Sequence, residues 1–226
     1  MSQQIERGRL KEPPAPEVTE IMVAPTLTNE EIERSYQSYI DVNKAHVLML
    51  AKQGFITREV AAKILTVAKE MAAMGNKPTF EITPALEEMY FNLENYLISR
   101  VGMEVGGQQH TARSRNDLHA TVDRMVTRNA LLKLEKLINK LRRTLLEVAR
   151  RNTDAVMSGY THLQPSEPIT FAHYLSAVSA ALTRDYKRLA HAWESTNLNP
   201  LGGGSMGSTT WNIDRNYTAK LLGFEG

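Results

Sequence analysis

The chain has 226 residues, of which 42% are hydrophobic and 23% charged, a composition that is ordinary for a globular protein with a sizeable core. It contains no cysteine, which excludes a disulfide framework, a thiolate metal site and a cysteine nucleophile, and which fits a reducing compartment. The net charge of +2 does not suggest nucleic-acid binding, no run approaches the roughly 18 apolar residues of a membrane span, and the N-terminus lacks the apolar segment of a secretory signal. We therefore expect a soluble, cytoplasmic protein.

The first part of the chain predicts a short arm followed by three helices. Residues 1–27 contain four prolines and no hydrophobic periodicity, so we expect an extended arm. Three side chains suited to capping a first helical turn mark the predicted helix starts: Thr28, Thr57 and Thr83. Each helix is expected to stop at or just before a glycine: Gly54, Gly75 and Gly102. Together they predict a small N-terminal helical domain over residues 28–110.

The second part predicts two long helices joined by a loop. Residues 118–152 lack glycine and proline, and their apolar residues recur at three- and four-residue steps, which predicts a helix roughly 50 Å long. A loop over 153–167, a second long helix that begins at Pro168, a glycine-rich turn over 200–212 and a short last helix follow. We find no convincing strand. The prediction is an all-α fold, in which residues 111–226 are the first long helices of a central bundle. We expect this bundle to be truncated, because two such helices cannot cover each other.

The stretch "HTARSRND", residues 110–117, precedes the first long helix and is dense in polar side chains. Ser114, Asn116 and Asp117 are all suitable N-cap residues, and the first amides of a helix are unpaired donors. With Arg113 and Arg115 beside them, these amides form a natural site for a carboxylate. The alternative is an ordinary helix cap with two solvated arginines, which would need only one or two of the eight residues.

A second polar stretch, "GYTHLQPSEP" at residues 159–168, follows the same long helix and holds Thr161, His162 and Gln164. A lone loop histidine is most often structural or solvated. However, this cluster and "HTARSRND" flank a helix roughly 50 Å long, so they cannot meet within one chain. Antiparallel association of copies would bring them together, which predicts a site shared between the subunits of a homo-oligomer. No histidine shows metal-ligand spacing with a carboxylate, and "GGGSMGS" lacks the Lys-Ser/Thr of a phosphate loop and indicates a tight turn.

Both stretches resemble argininosuccinate lyases, a family of the fumarase/aspartase superfamily. The resemblance rests on "GGQQHTARSRND" and "GYTHLQPSEPITFAHYLSAVSAALTRDYKRL", and extends from about Glu31 to Gly226. The S-R-N-D form distinguishes this family from fumarases, aspartases and adenylosuccinate lyases. The resemblance implies a homotetramer around a twenty-helix bundle, with each active site built from three subunits. It also implies a reversible β-elimination that releases fumarate from an N-substituted aspartate, without metal or organic cofactor.

The resemblance also implies roles for single residues. Ser114, Arg115 and Asn116 would bind the carboxylate end of the substrate, and Thr161 would bind it from a second subunit. His162 would take part in acid–base chemistry. Three further residues complete the predicted substrate site: Arg113, Gln164 and, by a looser alignment, Thr28.

The chain departs from this family at three places. The serine-rich loop that carries the family's proposed base would lie beyond Gly226, so we expect this chain alone to have little lyase activity. Tyr90 stands where the family usually has a histidine, and Ala112 where a glycine is common. These changes leave open a superfamily lyase that acts on another N-substituted aspartate, of the aminopolycarboxylate or adenylosuccinate type. A non-catalytic helical scaffold is the third alternative.

Overall fold

The computed structural model describes residues 15–226, and these are mostly helical. The principal helices are α1 (Asn29–Lys52), α2 (Arg58–Ala73), α3 (Met89–Val101), α4 (Arg115–Arg150), α5 (Phe171–Thr196) and α6 (Arg215–Leu221). Two strands, β1 (Val156–Thr161) and β2 (Gln164–Thr170), lie between α4 and α5. The expectation of a helical fold is confirmed, whereas the expectation of no strand is wrong.

The helix starts follow from capping side chains. The Thr28 hydroxyl accepts a hydrogen bond from the amide of Glu31, and that of Thr57 accepts one from Val60, as predicted. The third predicted start is wrong, because Thr83 begins only a 3-10 turn over Pro84–Leu86. The chain then bends at Glu87, whose φ of 64° is left-handed, and α3 begins at Met89.

The segment before α1 also differs from the prediction. Residues 16–27 form short helical turns, Pro16–Val18, Thr19–Val23 and Ala24–Leu27, where an extended arm was expected. Proline is compatible with this outcome, because Pro16 and Pro25 occupy first-turn positions, where a missing N–H costs nothing. The rest of the predicted arm, residues 1–14, lies outside the described residues.

The connection between α4 and α5 is a β-hairpin, where a loop was expected. β1 and β2 pair antiparallel from Val156 opposite Thr170 to Thr161 opposite Gln164. The pairing is irregular at Gly159, where a Cβ would lie 2.8 Å from the carbonyl oxygen of Glu167. α5 begins at Phe171 and not at Pro168, because Thr170 caps it by accepting the amide of His173.

The described residues divide into two compact units. The first holds the residues up to Val126 together with Asn199–Gly226, and the second is Thr127–Leu198. The core of the first unit is formed by α1, α2 and α3, with Tyr36, Leu50, Ile64 and Leu97 fully buried. In the second unit, five leucines of α4 are exposed: Leu132, Leu134, Leu137, Leu141 and Leu146. These units are defined by contacts within one copy of the chain, whereas the predicted domains assume a bundle of several chains. The predicted domains therefore stay a prediction.

No helix in residues 15–226 has both the length and the apolar character that crossing a membrane requires.

Candidate active site

A reciprocal cap fixes the start of α4. The hydroxyl of Ser114 accepts a hydrogen bond from the amide of Asn116 at 3.2 Å, and Oδ1 of Asp117 accepts one from the amide of Ser114 at 3.1 Å. This is the capping-box arrangement, in which two side chains satisfy backbone donors around the first turn. The cap therefore uses Ser114 and Asp117, and it leaves Arg115 and Asn116 exposed on the first turn.

The second carboxylate oxygen of Asp117 holds a distant loop. Oδ2 accepts hydrogen bonds from the amides of Gly202 at 2.9 Å and Gly204 at 3.0 Å, and the Asp117 side chain is only 4% exposed. The carboxamide nitrogen of Asn116 donates to the carbonyl oxygen of Ser205 at 3.0 Å. We name residues 202–208 the glycine loop. Three hydrogen bonds thus join it to the first turn of α4.

Arg115 is held by carboxylates from the turn before α3. Its Nη1 lies 2.9 Å from Oε1 of Glu88 and 3.5 Å from Oε2 of Glu87, while the guanidinium lies 4.6 Å from the centre of the Phe91 ring. The side chain remains 45% exposed, so a ligand can reach it. Burial opposes ionisation of Glu88, but the hydrogen bonds and charges of His119 and Arg115 outweigh burial and lower the pKa of its carboxyl.

His119 lies one helical turn after Arg115 and contacts the same carboxylate. Its Nε2 is 2.9 Å from Oε2 of Glu88, and its Nδ1 is 2.9 Å from the Tyr39 hydroxyl. Burial, followed by the charges of Glu88 and Asp123, raises the pKa of Tyr39, which therefore keeps its proton. Tyr39 can donate to Nδ1 when that nitrogen carries no hydrogen, and Nε2 then carries the hydrogen that faces Glu88.

Arg113 points into the interior of the first unit. Only 9% of the residue is exposed, Nη2 donates to Oδ1 of Asn43 at 2.8 Å, and the guanidinium lies 5.7 Å from the centre of the Tyr90 ring. This geometry does not support the predicted direct contact between Arg113 and the substrate, because the charged group is buried beside Asn43 and Tyr90. It supports a role in holding the first turn of α4 in place.

Tyr90 occupies the centre of the same buried cluster. Its hydroxyl donates to Oε1 of Glu94 at 2.7 Å and lies 2.9 Å from Nδ1 of His110. Burial, followed by the charge of Arg113, lowers the pKa of His110 to about 4, so this imidazole is neutral at pH 7. Tyr90, which stands where the family that this chain resembles usually has a histidine, is therefore a hydrogen-bonded part of the interior.

The second predicted cluster lies at the tip of the hairpin. His162 and Leu163 form its two-residue turn with φ of 49° and 62°, and Thr161 and Gln164 flank it. All four residues are exposed, and Leu163 is 92% exposed. Thr28, the remaining predicted contact, is an exposed cap of α1.

The structure thus brings Ser114, Arg115 and Asn116 onto one helical turn. The sequence did not indicate Glu88, His119 or the glycine loop as neighbours of this turn, because these contacts join distant parts of the chain. The spacing of Ser114 and Asp117 was a usable signal for the cap. Within residues 15–226, no group of three or more His, Asp or Glu side chains could hold a metal ion.

Comparisons with known proteins agree with this architecture. Argininosuccinate lyase 1 of Shouchella clausii is 45% identical over 217 residues, which are 96% of this chain and 43% of that protein. Argininosuccinate lyase of Methanosarcina acetivorans is 39% identical over 100% of this chain and 45% of that protein. The crystal structure of an EDDS lyase variant with bound fumarate superposes with a TM-score of 0.78 at 32% identity, and the match covers 97% of this chain and 43% of that one. These neighbours define a class of helical lyases of the fumarase/aspartase superfamily.

The sequence profile of the family described as Lyase matches residues 9–226, and the chain belongs to this family. The chain spans less than half the length of the curated relatives it matches.

Proposed function

We propose that the enzyme containing this chain is a carbon–nitrogen lyase of the argininosuccinate lyase type, which releases fumarate from argininosuccinate and leaves arginine. One observation carries the proposal: Arg115 and Asn116 stand exposed on a capped first helical turn, in a chain 45% identical to a protein named argininosuccinate lyase. The sequence resemblance supports the same reaction.

A base from the remaining length of the enzyme takes a proton from the carbon next to one carboxylate, and the electron pair forms the double bond of fumarate as the neighbouring C–N bond breaks. Charge accumulates on the carboxylate while the proton leaves. The Asn116 carboxamide and the Ser114 hydroxyl are donors for that charge, and a preorganised donor of this kind contributes about 3 kcal/mol. Arg115 supplies a positive charge for a substrate carboxylate.

His162 is proposed to provide the proton that the departing nitrogen needs, either directly or by orienting a partner, an effect worth roughly 10²–10⁴ in rate. Thr161 and Gln164 would bind the substrate beside it, and Thr28 would add a contact from the start of α1. Arg113 is proposed to position the first turn of α4 and not to touch the substrate. No metal or organic cofactor is required by this scheme.

The site is proposed to be shared between copies of the chain in a homotetramer. The exposed leucines of α4 support this proposal, because so many exposed large apolar side chains on one helix are typical of a surface that partners cover. A cytoplasmic location and a role in arginine biosynthesis follow from the same assignment.

The test uses the full-length enzyme, meaning this chain together with the remaining length that its relatives have. We expect it to release fumarate from argininosuccinate, followed by the absorbance of fumarate. Turnover of adenylosuccinate or of an aminopolycarboxylate such as EDDS, without turnover of argininosuccinate, would replace the proposed substrate but keep the reaction. Absence of fumarate from all three substrates would contradict the proposal.

A further inference from the structure

The glycine loop is held on the first turn of α4 more firmly than a connection between helices requires. The Asp117 carboxylate needs only Oδ1 to cap α4, yet Oδ2 accepts the amides of both Gly202 and Gly204. The carbonyl oxygen of Ser205 accepts the carboxamide of Asn116. The Asp117 carboxylate thus accepts three backbone amides, two of them from the glycine loop.

The loop itself has little freedom. Gly202 and Gly204 have φ of 98° and 66°, and an added Cβ would lie 2.8 Å from Arg215 Cγ in the first case and 2.6 Å from the Ser208 carbonyl oxygen in the second. Ser208 closes the loop, because its amide donates to Gly203 and its hydroxyl to the carbonyl oxygen of Gly202. The segment between these fixed points, Ser205–Gly207, carries Met206, which is 96% exposed.

The contact between Ser205 and Asn116 also orients a substrate-binding group. A carboxamide nitrogen has two N–H bonds, and Ser205 takes one of them. The orientation of the other N–H and of Oδ1 is therefore set by the position of the loop. A ligand that is hydrogen-bonded to Asn116 therefore lies next to the glycine loop, because the same carboxamide also bonds Ser205.

We propose that the glycine loop is a further wall of the substrate site and that Asp117 is the positioning residue that holds it there. This inference rests on the proposed function and deepens it, since it names a specificity element beside the carboxylate-binding turn. Asp117 touches no substrate. It acts through the loop and through Asn116.

Two variants of the full-length enzyme test this inference. Asp117→Asn keeps the size of the side chain but replaces one acceptor with a donor, so either the glycine amides or the Ser114 amide loses its partner. Gly204→Ala leaves the side chains of α4 unchanged and displaces the loop by the clash with Ser208. The control is Thr57→Ala, which removes the cap of α2 without touching the site.

The readouts are KM and kcat for argininosuccinate, the Kd of fumarate by calorimetry and hydrogen exchange of the Gly202 amide. We expect both loop variants to raise KM and the fumarate Kd at least 10-fold, and Asp117→Asn to speed exchange of the Gly202 amide at least 10-fold. Thr57→Ala should leave the KM, the fumarate Kd and the exchange rate of the Gly202 amide unchanged, even if its melting temperature falls as far as those of the two test variants.

Several outcomes would overturn the inference. Unchanged KM and Kd in Gly204→Ala would show that the loop is no part of the site, even if Asp117→Asn fails to fold. An equally large rise of KM in Thr57→Ala would show that Asp117→Asn and Gly204→Ala act only through general destabilisation. The fumarate Kd separates the two proposals. If the wild-type enzyme binds fumarate but does not cleave argininosuccinate, the proposed substrate is wrong. The effect of the two variants on the fumarate Kd still tests whether the glycine loop is a wall of the site. Absence of fumarate binding would overturn both.

Discussion

The first turn of α4 and the tip of the hairpin carry the two polar clusters of the chain, but they are organised in opposite ways. Around the turn, backbone donors and side chains from four parts of the first unit meet: α1, the residues before α3, α4 and the glycine loop. At the hairpin tip, Thr161, His162 and Gln164 are all exposed. A preorganised set of donors is suited to bind charge, whereas an exposed tip is suited to enter a site completed by another copy.

Loss of His162 should give the largest effect and would sharpen this contrast. In the full-length enzyme, His162→Asn should lower turnover by roughly 10²–10⁴-fold, because it removes a proton donor and leaves the carboxylate-binding turn intact. Stability and oligomeric state should not change, because asparagine also tolerates the left-handed φ of 49° at this turn position. Steady-state kinetics and size-exclusion chromatography provide the measurements.

The matched control is His191→Asn, an exposed histidine of α5 that lies 3.4 Å from Glu194 and outside both clusters. It should retain wild-type turnover. Equal losses in the two histidine variants would contradict the assignment of the hairpin tip to the site.

The next largest effect concerns the interior behind the turn. Tyr90→Phe removes the hydroxyl that bonds Glu94 and His110, so buried polar atoms lose a partner. We expect the free energy of unfolding to fall by about 1–3 kcal/mol. Urea denaturation measures it, and Tyr174→Phe, at a half-exposed site on α5, should change it by less than about 0.5 kcal/mol. Equal changes would mean that the cluster around Tyr90 adds no stability of its own.

Acid should weaken the same interior. The pKa of His110 is lowered from 6.5 to about 4 in the fold, so between these values the unfolded chain takes up a proton that the folded chain refuses. The free energy of unfolding should therefore fall as the pH drops from 6.5 towards 4, and buried His46, whose pKa is also lowered, acts in the same direction. Urea midpoints across this range measure the slope, which His110→Gln should reduce. An unchanged slope would contradict the account.

The smallest effect should come from the partly exposed ion pairs at the turn. Glu88→Gln removes a charge that holds Arg115 and His119, and half-exposed pairs of this kind contribute about 0.2–1 kcal/mol. We expect KM to change by less than about fivefold, with kcat preserved. A loss of kcat comparable to that of His162→Asn would place Glu88 in the chemistry and blur the distinction between the two clusters.

Local signals in the sequence predicted much of the fold. Thr28 and Thr57 cap helices as expected, because an N-cap acts within three residues of itself. The sequence gives no clear signal for the hairpin, because β2 contains Pro165 and Pro168, which weaken a strand pattern, and because neither residue of its turn is a glycine. Two edge strands tolerate such prolines, since only one side of each is paired.

The candidate site was predictable to the same local extent. The spacing of Ser114 and Asp117 indicated the cap, and the density of polar residues indicated more than a cap. The partners of Arg115 and Asp117 were not predictable, because Glu88 lies 27 residues from Arg115 and Gly202 lies 85 residues from Asp117. The burial of Arg113 likewise depends on Asn43 and Tyr90, which no spacing connects to it.

Successive amides of glycine-rich turns often form a concave nest that receives a phosphate or another external anion. Here the nest is already filled, because the carboxylate of Asp117 sits against the amides of Gly202 and Gly204. The molecule thus supplies its own counter-ion, and inorganic phosphate has no vacancy to occupy there.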